Sequence, residues 1–167
     1  MNPAVISRAI LARLQADSTL YSGGAWTAAL VGGGAWPKQN PNTSPAYPNL
    51  VWGIDWEADN TLQGMLGAAT VTFVCYDIER DGTPNLEVLI DRLIGDAMLS
   101  SGSRGAPTYG FHNHKLALPS LGSTNVQGAV AGDMNLESTA IGPSDTENVI
   151  QAMLRFKVYI QNVAANQ

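Results

Sequence analysis

The chain contains two histidines, His112 and His114, and one residue separates them. On a β-strand, residues two apart point to the same face, and neutral imidazole is a common metal ligand. A complete site needs a third and a fourth ligand, and no Asp, Glu or Cys lies close to the pair in the sequence. Two histidines on a solvated strand face are the preferred interpretation. A small metal-binding or enzymatic domain that uses them is kept as an alternative.

Two further groups of residues contain side chains that could do chemistry. Asp77, Glu79 and Asp81 could act as acid and base, but they would need an enclosing pocket. Favourable charge near the start of a helix explains them more simply. Gly32-Gly33-Gly34 lacks the following helix of a phosphate loop, because Trp36 and Pro37 come next. The sequence therefore predicts neither an enzyme nor a cofactor.

The composition indicates one domain, residues 1–167, with few charges. Charged residues make up 14% of the chain, against about a quarter in a typical globular protein. The net charge is −5 and there is no basic stripe, so tight binding to nucleic-acid phosphates is not expected. The single cysteine, Cys75, lies in an apolar stretch and predicts an inert core thiol. We expect no signal peptide and no membrane segment.

Alternating apolar residues predict three main strands. The clearest is IQAMLRFKVYI, from Ile150 to Ile160, where every second side chain is apolar. Residues 50–56 form a second alternating run, and residues 69–78 are rich in β-branched and aromatic side chains, which is typical of a central strand. Residues 57–67 are expected to be a polar connection. Residues 111–118 are a further strand candidate, residues 123–137 are strand or loop, and residues 142–145 are a turn.

Two amphipathic helices are expected. Asn2 and Pro3 suit a helix start, and apolar residues at a spacing of four extend the first helix to about residue 16. Thr83-Pro84 precedes the second, whose apolar stripe comprises Leu86, Leu89, Ile90, Leu93, Ile94 and Ala97. The helices are not interleaved with single strands. This order predicts an α+β fold, a mostly antiparallel sheet with two helices packed on one face.

The remaining features suggest contact surfaces. Arg155, Lys157 and Tyr159 share the polar side of the last strand, so we expect them to contribute to contacts with other protein subunits. Trp26 and Trp36 lie in the loop-rich region 22–48, where aromatic residues are either interface anchors or local core. At least one of the long regions 22–48 and 100–146 is expected to mediate contacts.

The order of these elements resembles a known family. PAVISRAILARLQAD precedes a Gly-rich turn, YPNLVWGIDW and ATVTFVCYDI follow as strands, and TPNLEVLIDRLIGDAML and VIQAMLRFKVYIQ close the pattern. Over nearly the whole chain this resembles the tail terminator, or tail completion, proteins of long-tailed bacteriophages. The resemblance implies a ring, usually a hexamer, that caps the tail tube, ends its polymerisation and joins the head, with no enzymatic activity.

The resemblance also implies partners and a location. The partners would be further copies of the chain, the tail tube protein and neck or connector proteins, at the head-tail junction of a virion made in the bacterial cytoplasm. A neck or head-completion protein of the same region is the alternative. DNA would pass through the lumen without specific binding, so the wall should be neutral or acidic. The lumen candidates are Asp55, Glu57, Asp59, Asp133 and Glu137.

Overall fold

The computed structural model describes residues 3–58, 65–78, 84–95, 108–118 and 129–162. The described helices are α1 (Pro3–Ala16), α2 (Ala28–Val31) and α3 (Pro84–Ile94). The described strands are β1 (Tyr21–Ser22), β2 (Ala25–Trp26), β3 (Ala35–Pro37), β4 (Asn49–Ala58), β5 (Met65–Ile78), β6 (Ala129–Ala131), β7 (Asn135–Pro143) and β8 (Val149–Asn162). No described helix is both long and apolar enough to cross a bilayer.

A six-stranded sheet forms the centre of the molecule. Its strand order is β3-β4-β5-β8-β6, and β7 pairs with β8 on the same side as β6. β4, β5, β8 and β7 are successively antiparallel, whereas the short β3 runs parallel to β4. The fold is therefore α+β, as predicted, with a mixed sheet in which one parallel edge strand joins an antiparallel body.

The sheet is buried on one side. Directly paired residues such as Phe73 and Leu154, or Val71 and Phe156, point to the same face, and all four are fully buried. α1 and α3 cover this face with the buried side chains Ile6, Ile10, Leu14, Leu86, Leu89 and Leu93. The alternation read from the sequence of β8 thus corresponds to a covered face and an uncovered face.

A segment at residues 109–112 fastens α3 to the sheet. Phe111 packs against Phe73 and Phe156, with ring centroids 4.9 and 6.1 Å away. The N–H of Phe111 donates to the carbonyl of Leu93 at 2.9 Å, which satisfies an otherwise unpaired group at the helix end. Gly110 lies against Gly95, where a Cβ would meet backbone atoms at 2.3 Å, so both positions require glycine.

A buried ion pair links α3 to the turn that follows α1. Arg92 of α3 donates from Nε to Oδ2 of Asp17 at 2.8 Å, and Asp17 is 7% exposed. The guanidinium also lies 3.4 Å from the ring centroid of Tyr109. Breaking such a pair by removing one partner leaves a buried charge without compensation, so these contacts fix how the two helices sit on the sheet.

The main elements agree with the sequence predictions, and several boundaries do not. The loop-rich region 22–48 contains α2 and the short strands β2 and β3. These elements have two to four residues each, too few to show a hydrophobic periodicity in the sequence. The polar connection predicted at residues 57–67 was too long, because β4 runs to Ala58 and β5 begins at Met65. α3 ends at Ile94 because Gly95 takes a positive φ of 103°. Ala97 lies outside the described residues.

In the second half of the chain, the structure differs more from the secondary structure predicted from the sequence. Residues 111–118 do not form a strand; they make turns and a single bridge from Lys115 to Asp133. Asn113 has a positive φ of 57°, which breaks the extended geometry. The turn predicted at residues 142–145 begins later, because β7 continues through Pro143 and the chain reverses over residues 144–148. Part of the predicted long loop 100–146 is therefore strand.

The α3 stripe provides a test of the fold. Leu93 is fully buried, so Leu93→Ala should lower the free energy of unfolding by about 2–5 kcal/mol, the range for buried leucine truncation. Val88 on the same helix is 45% exposed, and Val88→Ala should change it by less than about 0.5 kcal/mol. Urea unfolding of both variants measures the difference, and equal small losses would contradict the packing of α3.

Candidate interaction surface

One face of the sheet is left uncovered by the described helices. We call it the open face, and it comprises Val51, Gly53, Asp55 and Glu57 of β4, Ala68, Thr70, Thr72 and Val74 of β5, and Met153, Arg155, Lys157 and Tyr159 of β8. All of these residues are half-buried or exposed, and no described helix packs on them. Tyr159 is 45% exposed and Met153 38%.

The open face carries opposite charges on separate strands. In the strand register, Asp55 aligns through Thr70 with Lys157, and Glu57 aligns through Ala68 with Tyr159. Two strand spacings, about 10 Å, separate the acidic strand from the basic one. Among the described residues neither Arg155 nor Lys157 forms an ion pair, although Lys157 Nζ lies 5.6 Å from the ring centroid of Tyr159. Both sets of charges are thus open to an external partner.

The open face brings together two sets of candidate residues that lie far apart in the sequence. The interface candidates Arg155, Lys157 and Tyr159 lie on the same face as the lumen candidates Asp55 and Glu57. The other described lumen candidates, Asp133 and Glu137, are exposed near the start of β7, and Asp59 lies outside the described residues. A partner that covers the open face would therefore meet both groups at once.

The sheet also has two edges without strand partners among the described residues. On one side, β3 pairs with β4 as far as Trp52, which leaves the outer edge of Gly53–Ala58 unpaired. On the other side of the sheet, β7 is the outer strand. The Leu136 N–H, near its start, donates to His112 Nδ1 at 3.1 Å. From Ser138 to Pro143 the strand pairs with β8, and its outer edge has no strand partner among the described residues. Unpaired edges are templates for pairing with another chain.

The two candidate tryptophans are packed locally. Trp26 is half-buried in the β1–β2 hairpin, where its ring meets Tyr21 edge-on with centroids 4.9 Å apart. Trp36 donates from Nε1 to the carbonyl of Gly33 at 2.9 Å and lies over Gly34. Each leaves part of its ring exposed, so their role as interface anchors stays a prediction.

The histidine pair is part of the framework that holds β7. His112 Nδ1 is engaged as an acceptor, and the backbone carbonyl of His114 accepts from the Met134 N–H at 3.0 Å. Burial lowers the pKa of His114, Arg13 lowers it further, and Asp133 partly opposes them. No group of three metal-ligating side chains occurs in the described ranges. The geometry gives no support to the metal-site hypothesis for His112 and His114.

The remaining candidates for chemistry are buried or engaged in structure. Cys75 is fully buried on the covered face, and burial raises the pKa of its thiol, so it is a core residue as predicted. Asp77 is 5% exposed and its Oδ1 accepts from the Ile78 N–H at 2.8 Å. Glu79 and Asp81 lie outside the described residues. The acidic cluster therefore does not present paired carboxylates within the described structure.

The free edge of β7 was not predicted from the sequence. NLESTAIGP contains small and polar residues, a bulge between Leu136 and Ser138, and a proline, all of which blur a period of two. One feature of the sequence does indicate this edge: no charged residue occurs from Ser138 to Pro143. Edge strands that face solvent usually carry a charged residue, often lysine, that prevents pairing with other chains. Such an uncharged edge suits pairing with another chain.

Comparison with known proteins shows similarity of fold to solved structures. No family model matches the chain, and no curated protein matches it. Among solved structures, the chain is similar to a chain from the virion of a native gene transfer agent particle, with a TM-score of 0.60 and 15% identity over 96% of this chain and 99% of that one. This fold occurs in a virion. A second solved chain matches with a TM-score of 0.57 and 14% identity over 96% of both chains.

Proposed function

We propose that this chain is a structural virion protein, a subunit of the ring that caps a phage tail tube, ends its polymerisation and forms the surface that joins the head. The observation that carries the proposal is the fold match, over 96% of the chain, to a protein of the gene transfer agent virion. The role at the tail end comes from the order of elements in the sequence. In this proposed role the protein acts without enzymatic activity and without a cofactor.

The two free edges support assembly into a ring. Gly53–Ala58 and Ser138–Pro143 are each six residues long, about 20 Å, and lie on opposite sides of one sheet. β7 is antiparallel to β4 in direction, because three antiparallel pairings separate them. The β7 edge of one copy can therefore pair with the β4 edge of an identically oriented copy. A contact between two different surfaces of the same chain closes into a ring when the rotation is suitable.

The position of the helices indicates which side of such a ring faces the axis. α1 and α3 add a layer to the covered face, and the outer circumference of a ring has more room for a second layer than the inner one. The open face would then line the lumen. Its described charges are two acidic and two basic residues, so the wall would be neutral overall. A neutral wall would let DNA pass without strong binding to its phosphates.

The central test is whether the protein forms rings that stop tube growth. Purified protein should give a closed oligomer in native mass spectrometry and rings in negative-stain images. Added to polymerising tail tube protein of the same virus, it should shorten the tubes as its concentration rises, because capped ends no longer add subunits. Rings that leave tube length unchanged would favour the neck or head-completion alternative. A strictly monomeric protein would contradict the ring.

A charge exchange tests the open face. When copies join edge to edge, Arg155 of one copy, which pairs with Ser138 of β7, comes about two strand spacings from the acidic strand of the next copy, which carries Asp55 and Glu57. Lys157 pairs with Asn135, just before the free edge, and adds its charge at the end of the contact. The double variant R155E/K157E should weaken ring assembly about tenfold, since exposed ion pairs contribute about 0.2–1 kcal/mol each and reversal adds repulsion. Its free energy of unfolding should stay close to wild type.

The matched control restores the pairing with the charges exchanged. The quadruple variant R155E/K157E/D55R/E57K keeps the net charge of −5 and should recover most of the assembly. The variant D55R/E57K alone should gain salt-dependent DNA binding as a ring, because its lumen becomes basic. If R155E/K157E folds and assembles like wild type, these residues do not lie at a contact.

A further inference from the structure

An apolar groove lies beside the free edge of β4, on the covered side of the sheet. Its volume is about 600 Å³. Trp52 and Ile54 of β4 form its floor, and Ser7 and Leu11 of α1 form one wall. The indole N–H of Trp52 donates to Ser7 Oγ at 3.0 Å, which fixes the floor against the helix. Arg8 and Lys38 stand at the rim, and neither has an ion-pair partner among the described residues.

An exposed apolar side chain lies at the opposite edge of the same sheet. Ile141 of β7 is 58% exposed. It pairs directly with Ala152, which is fully buried on the covered face, so Ile141 also points to that face. No described helix extends over β7 to cover it. Thr139, two residues earlier, pairs with buried Leu154 and points the same way.

The charges of the two edges are complementary. From residue 129 to residue 149 the chain contains Asp133, Glu137, Asp145 and Glu147 and no lysine or arginine. Around the groove, by contrast, the charged lining residues are Arg8 and Lys38, and α1 contains no acidic residue. An uncharged strand edge that carries one uncovered isoleucine and is flanked by acidic residues thus lies opposite a basic-rimmed apolar groove on the same molecule.

We infer that a second copy of this chain occupies the groove: β7 of one subunit docks along β4 of the next and inserts Ile141 between α1 and β4. The inference rests on the proposed ring and names its contact. The groove has room for Ile141 and Thr139, which enter from the same face of β7. Arg8 and Lys38 then lie near the acidic residues that flank the docked edge. Because groove and side chain are on opposite edges, the contact propagates in one direction around the ring.

Substitution of Ile141 tests the contact without disturbing the subunit. Ile141→Asp should raise the subunit dissociation constant at least about 30-fold, the loss expected for an interface anchor. Circular dichroism and urea unfolding should remain like wild type, because the side chain is exposed in the free subunit. The matched variant Ile141→Val should keep nearly normal assembly. Analytical ultracentrifugation over a concentration series provides the dissociation constants.

Disulfide trapping tests the direction of the contact. The pair L11C/I141C should give, on oxidation, a non-reducing ladder of dimers, trimers and higher species that ends at the closed ring. The control V88C/I141C places its first cysteine on the exposed side of α3, outside the groove, and should give no ladder. Cys75 is fully buried and should not contribute.

The outcomes separate the contact from the ring. If wild-type rings form and Ile141→Asp assembles equally well, or L11C/I141C gives no ladder, the groove contact is wrong while the ring proposal stands. Trapping that stops at dimers would show a two-fold contact and would also overturn the inference. A wild-type protein that stays monomeric would remove the ring and this contact together.

Discussion

The one-sided burial of the antiparallel pair β5 and β8 is the constraint on which the rest of the structure depends. Their register runs from Gly67 and Ile160 to Ile78 and Val149 without a break, so one row of alternate side chains is committed to the core. A shift by one residue would expose that entire row and bury Arg155 and Lys157. The covered row therefore determines where α1 and α3 pack, and the other row is left as the open face.

The same constraint explains why the molecule ends in two different edges. Helices cover the centre of the sheet and stop short of β7, while β3 protects only three residues of β4. The edge at Ser138–Pro143 is uncharged, and Ile141 within it is mostly exposed. An isolated protein with such an edge risks unspecific pairing. Pairing with the next copy would satisfy both the backbone groups and the apolar side chain.

Much of this fold could be predicted from periodicity alone. β8 and α3 were clear because every residue in their patterns obeys one period, and packing then buries the apolar set. The segment at residues 111–118 misled the prediction because FHNHKLAL alternates partly, while its course is set by Phe111 in the aromatic cluster and by hydrogen bonds to β7. Contacts between residues distant in the sequence leave no local period.

The candidate surface was only partly predictable. Parity along β8 placed Arg155, Lys157 and Tyr159 on one face, and parity along β4 placed Asp55 opposite Trp52 and Ile54, whereas Glu57 was assigned to the connection that follows. That these two sets share a single open face depends on how β5 aligns the strands, which no single segment encodes. The groove and Ile141 were not anticipated, because each becomes visible only once the edges of the sheet are known.

Hydrogen exchange of the backbone amides tests the central claim, that sheet edges join the copies, most directly. In dilute free subunit, the outward amides of Gly53–Ala58 and Ser138–Gly142 should exchange rapidly, since no described strand protects them. In the assembled oligomer both segments should become protected together, over the same concentration range. Protection that appears elsewhere on the surface, with both edges still exchanging as in the free subunit, would contradict the account.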